Sequence, residues 1–258
     1  MGCLRLCLTK RAEEPFYIAS IGVNARSIEE ICYFIVNETA LLDESFVCRE
    51  LARWFEEQLG MAALARTLEK VLAEDEPTAP FVTAILREEA YLSHRDMQAF
   101  ERRLQALSRD SEAVRLKKKG DALVRCGRLA GAVNVYREVL RMEECRSGEV
   151  LAASVWHNIG VAHMQLLAYP EALSDFEKAL SLSYTREALK DYLYVCAIAR
   201  PREKYEEELK KRGVDDRTRE EIDRGLREAA AAVRYPEAAD MKSYLADLMR
   251  EYHRAADV

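Results

Sequence analysis

Between Phe81 and Ala199 the sequence is an almost unbroken succession of helix-period segments, each closed by a short break. A chain of this kind buries its apolar positions by laying helix against helix, so the pattern points to the all-α class. Phe81 to Tyr91 and Asp96 to Leu107 read as the arms of one hairpin. Arg115 to Arg125 and Leu129 to Arg141 form a second across Gly127, and Val150 to Leu167 with Pro170 to Leu182 a third. Arg186 to Ala199 follows and stops before Pro201. Punctuation argues against the strand-rich alternative: 258 residues hold only 10 Gly and 6 Pro, too few for a turn about every ten residues.

The flanks carry the same signals. Ser27-Ile28-Glu29-Glu30 is a capping box, and Ile28, Ile31, Cys32 and Ile35 share one helical face behind it. Asp43 opens a second helix reaching about Leu59, with Phe46, Leu51, Trp54 and Phe55 inward and Gly60 as the stop. Met61 to Leu72 is a third, and the break Ala73 to Pro80 places a proline in the first turn of the next. After Pro201, Glu203 to Arg212 is closed by Gly213 and offers Glu206–Lys210 and Glu207–Lys211 as i,i+4 pairs. Asp216 to Val233 and Glu237 to Tyr252 make a last pair. Met241, Tyr244, Leu245, Leu248 and Met249 form an apolar stripe on the final helix, suited to capping an open end or to a homodimer seam. The expected organisation is a flexible leader over 1–15, an N-terminal helical domain over 16–76, hairpins over 77–200 and a C-terminal helical cap over 201–258.

Inside the hairpins certain residue types recur at fixed offsets. Trp156, Ile159 and Gly160 stand in one helix, and Ala172, Phe176 and Ala179 in the next. Small residues are needed where two helices cross closely, and an aromatic fills the space they leave. Residues 153–186 thereby resemble the tetratricopeptide repeat, whose period is about 34 residues. His163 and Tyr184 depart from its usual Tyr and Pro. Residues 113–146 match more loosely through Gly120, Gly127, Ala132, Tyr136 and Leu140, and Met142 to Glu149 reads as an inserted loop. Ser27 to Phe46 also resembles the front of bacterial tetratricopeptide proteins of uncharacterised type.

The resemblance implies an α-solenoid with N-terminal helices before it and capping helices after it, and a concave face that holds a peptide or helix. By position, Lys117, Asp121 and Arg125 would line that face from the looser repeat, and His157, Asn158, Val161, Met164 and Gln165 from the closer one. Lys117 and Asn158 match two positions at which some family members clamp a terminal carboxylate. Asp121 replaces an expected Asn and would repel one, and Ala188 and Tyr192 stand where basic residues are wanted. In the opposing reading, C-terminal helices fill the groove and these residues are structural.

Other functions find little support. The net charge of −6 is unlike that of a nucleic-acid binder. Arg115, Lys117, Lys118, Lys119, Arg125 and Arg128 make a local basic cluster, read as a solvated helix face or a surface for an acidic partner. There is no P-loop, GxGxxG or GxSxG, no histidine pair at i,i+4 among His94, His157, His163 and His253, and no buried acid–base pair to pick out. The seven cysteines are scattered, with only Cys3 and Cys7 close together, as in a reducing compartment. No apolar run reaches the ~18 residues of a membrane span, and the N-terminus matches no targeting signal. The expectation is a cytoplasmic protein–protein adaptor without catalytic residues, cofactor or metal. The alternative is a regulatory protein that answers to a peptide or reaches nucleic acid through its N-terminal helices. Glu50, Glu56 and Glu57 against Arg49 and Arg53 disfavour a recognition helix there.

Overall fold

The computed structural model describes residues 9–232 and 241–256, with side chains in the last helix as far as Arg250. Apart from one two-stranded hairpin, the regular structure of the described residues is helical. The chain divides into two compact units that adjoin in sequence at Cys126–Gly127, within the stretch read as continuous hairpins.

The first unit begins with β1 (Phe16–Ile18) and β2 (Val23–Ala25), paired antiparallel with Phe16 opposite Ala25. Helix α1 (Ile28–Asn37) starts with the capping box read from the sequence: Ser27 accepts from the Glu30 amide, and the Glu30 carboxylate accepts from the Ser27 amide. Ile28, Ile31, Cys32 and Ile35 are each fully buried. Residues 9–15, expected as a loose leader, are instead tied down. Thr9 gives both its amide and its hydroxyl to the buried Glu29 carboxylate. Ala12 bonds the Arg26 carbonyl, and the Trp54 indole donates to the Glu14 carbonyl at 2.8 Å. Residues 1–8, Cys3 and Cys7 among them, lie outside the described chain.

The second helix does not start at Asp43. A 3-10 turn covers Thr39–Leu41, and α2 runs only from Arg49 to Glu57. The reason is local: the Asp43 carboxylate accepts from the Ser45 amide and hydroxyl, a turn geometry that competes with helix. The apolar residues still point inward. Phe16, Phe34, Phe46, Trp54 and Phe55 form one aromatic cluster, with Phe34 and Phe46 centroids 4.9 Å apart. Helices α3 (Ala62–Val71), α4 (Thr78–Glu88, with Pro80 in its first turn), α5 (His94–Arg109) and α6 (Glu112–Arg125) complete the unit.

The second unit contains α7 (Leu129–Arg141), α8 (Glu143–Ser147), α9 (Glu149–Gln165), α10 (Tyr169–Leu182), α11 (Arg186–Ala199), α12 (Arg202–Lys211), α13 (Asp216–Ala232) and most of α14 (Met241–Ala256). The expected insertion loop thus folds as the short α8, anchored by the buried Cys145. Phe176, Tyr192, Leu193, Val195, Cys196, Tyr205, Leu209 and Ile222 make a core shared by α10, α11, α12 and α13. Helix α9 crosses α10 at Gly160, where an added Cβ would stand 2.9 Å from the Phe176 ring. That ring is fully buried, so the glycine is what lets the helices close on it.

Helix α9 ends in a Schellman turn: Ala168 donates to the His163 carbonyl and Leu167 to that of Met164. The same bonds recur at Tyr91 and Ala90 after α4, and at Val214 and Gly213 after α12. Each turn needs one residue at positive φ, which at Leu167 is +60°. A leucine in this left-handed region is strained by about 1–2 kcal/mol, and its side chain is 70% exposed and recovers little by burial. Leu167→Gly is therefore expected to raise the urea midpoint by the equivalent of about 1 kcal/mol, after glycine's entropy cost. An unchanged or lower midpoint in matched denaturation curves would count against this strain.

One expectation differs at the C-terminal end. The i,i+4 pairs expected on α12 do not form. Glu206 instead engages Arg202 on its own helix and Arg219, which α13 brings alongside, and Glu207 engages Lys204. Residues 233–240, where the last helix was expected to begin, lie outside the described chain. In α14 the stripe residues Met241, Tyr244, Leu245, Leu248 and Met249 are all exposed.

Candidate partner-binding surfaces

The residues expected to line one concave face fall in both units, Lys117, Asp121 and Arg125 in the first and the other five in the second. On α6 they sit in a set of ion pairs that closes the first unit on itself. Lys117 bonds Asp121 one turn on at 3.0 Å. Lys118 reaches Asp110, Lys119 reaches Asp43 at 2.7 Å, and Arg125 reaches Glu38 at 3.1 Å. Burial opposes ionisation of Asp43, but the Lys119 and Ser45 hydrogen bonds and the Lys119 charge outweigh it and hold the carboxyl below the usual range. The basic cluster read from the sequence is therefore largely neutralised from within. Asp121 already takes up part of the charge and hydrogen-bonding capacity of the Lys117 ammonium.

In the second unit α9 presents His157, Asn158, Val161, Met164 and Gln165. His157 Nε2 lies 2.9 Å from the Asp191 carboxylate of α11, and its ring packs against Phe176 at 5.3 Å between centroids. Asn158 donates to the Tyr136 hydroxyl at 3.5 Å. Val161 and Met164, expected to line the concave face, are partly buried and packed on the core. Gln165 is exposed. Ala188 and Tyr192, which occupy the other clamp positions, are buried. This face is cross-tied first and open second.

Asp191 was missed in the sequence although a signal existed. It lies 34 residues after His157, a separation equal to the period of the repeat that the sequence resembles, and it stands on α11, two helices after α9. Asp175 was missed for another reason. It is buried at 5% exposure on the face read as small and aromatic, and it joins α10 to α9 by accepting from His163 Nδ1 at 2.6 Å. Lys178 bonds the same carboxylate and lies over the Trp156 ring at 4.0 Å.

The His157–Asp191 pair carries a pH dependence. The Asp191 hydrogen bond raises the imidazole pKa, burial lowers it, and the Asp191 and Glu187 charges raise it further, with a net upward shift. A raised folded-state value adds stability that is fully present below the ordinary histidine pKa, about 6.5, and is lost as pH rises through the folded value. The stability gap between wild type and Asp191→Asn should thus narrow from about pH 5.5 to pH 8 in urea titrations. A gap that widens with pH would reverse the assignment.

Among the described residues no group of three or more His, Cys, Asp or Glu is arranged to hold a metal ion, and no helix is long and apolar enough to cross a membrane. Comparison with family models, curated proteins and solved structures returns no match.

Proposed function

We propose that the chain is a protein–protein adaptor built on tetratricopeptide-type hairpins, and that it docks a peptide or helix along the α9 face. The observation that carries this reading is the α9–α10 crossing. Gly160 rests on the buried Phe176 ring, with Trp156 and Ile159 before it in α9 and the buried Ala172 and Ala179 flanking Phe176 in α10, which supports the repeat reading. The His157–Asp191 spacing of one period supports the same reading. Gln165 and the open edges of Val161 and Met164 would make the contacts, and the reducing cytoplasm is the proposed setting. The alternative, a regulatory protein that answers to a peptide or reaches nucleic acid through its N-terminal helices, is less well supported, because Glu50, Glu56 and Glu57 outnumber Arg49 and Arg53 on α2.

The test is photocrosslinking from single benzoylphenylalanine residues in the full chain, one at Gln165 on α9 and one at Glu171 on α10, both exposed. A partner that crosslinks at Gln165 and not at Glu171 supports the proposal. Equal labelling at both positions, or none at either, sinks it.

A further inference from the structure

Helices α4, α5 and α6 and the Thr39–Leu41 turn of the first unit enclose a cleft of about 400 Å³, whose size suits an inserted ligand group. Leu42 and Leu104, each 8% exposed, line it together with Leu107 and Pro77. Its rim is different in character. Asp75 and Glu76 line the opening, Glu74 precedes them, and all three are exposed with no ion-pair partner among the described residues. The carboxylates Asp43 and Asp110 of the same unit are neutralised by Lys119 and Lys118. Uncompensated negative charge is thus concentrated beside a recess whose lining is half apolar, with Thr39, Thr78 and Ser108 among its polar members. The lining contributes one cation, Arg115, too little to balance it.

From this juxtaposition we propose that the cleft is a second docking site, which takes an apolar side chain of an extended peptide with lysine or arginine beside it. The apolar lining sets the anchor, since leucine-type walls gain by excluding water from another apolar group. The acidic rim sets the flanks, because a low-dielectric recess edged by one sign of charge attracts the opposite sign. A peptide supplies the apolar anchor and the cation on neighbouring side chains. Arg115 opposes the cationic flank and limits affinity. The site lies wholly in the first unit and does not rest on the α9 reading.

The test selects short random peptides displayed on phage against the full-length chain, with Asp75→Lys/Glu76→Lys as the counter-target. Both substituted residues are exposed, so the variant should keep the wild-type circular dichroism. Selected peptides should carry an apolar residue next to Lys or Arg. As labelled synthetic peptides they should lose about tenfold in affinity on the double variant and gain about threefold on Arg115→Glu. Leu107→Trp, which fills the cleft, should abolish their binding. Selected peptides that bind the double variant equally well overturn the proposal. So do acidic sequences, or no enrichment above an empty support.

Discussion

Phe176→Ala is expected to remove about 3–5 kcal/mol of the second unit's stability, the range for truncating a fully buried aromatic. The ring is held from two sides: Gly160 of α9 approaches it so closely that no Cβ fits, and the His157 ring packs on it. Removing it leaves a hole where two helix backbones are nearest, a place that cannot collapse without moving α9. Urea unfolding followed by circular dichroism measures the loss, and a cost under about 1 kcal/mol would mean that this crossing is not a stability centre. A compensating pair sharpens the test. Gly160→Val in the wild type should destabilise by overpacking, by about 1–3 kcal/mol, and should cost less or even help beside Phe176→Ala.

Asp175→Ala is the second large effect, expected at about 3 kcal/mol, because breaking a buried ionisable pair strands the remaining partner. The stranded group is His163, 12% exposed at its side chain and bonded to Asp175 at 2.6 Å. Lys178 is half exposed and can turn to water, so it contributes less to the cost. The paired replacement His163→Leu/Asp175→Leu should therefore be much less harmful than Asp175→Ala alone. If the double variant is as unstable as the single one, the deficit does not come from an orphaned histidine.

Helix content and the inward residues were legible in the sequence because both follow from local periodicity. The capping box at Ser27, the stops at Gly60 and Gly213, and the bounds of α7 and α11 emerge nearly as read. Helix α2 was misread because a competing side-chain turn at Asp43 leaves the apolar spacing unchanged while the six residues before Arg49 stay out of the helix. The candidate face was legible as positions and illegible as an environment. The sequence names His157 and Lys117 but not their pairing with Asp191 and Asp121, and one of those partners is 34 residues away. The acid-rimmed cleft left still less trace, since its lining comes from segments spread between Thr39 and Arg115.

The ion pairs that tie α6 to the rest of the first unit have a practical consequence. Lys119–Asp43 and Arg125–Glu38 join residues far apart in the sequence, and both are accessible enough to be screened. A high-salt wash, the usual means of asking whether a complex is electrostatic, would weaken these internal ties together with any external one. Elution by salt would therefore report the cohesion of the protein's own first half as much as the chemistry of its partner. A competing peptide is the cleaner eluent for this molecule.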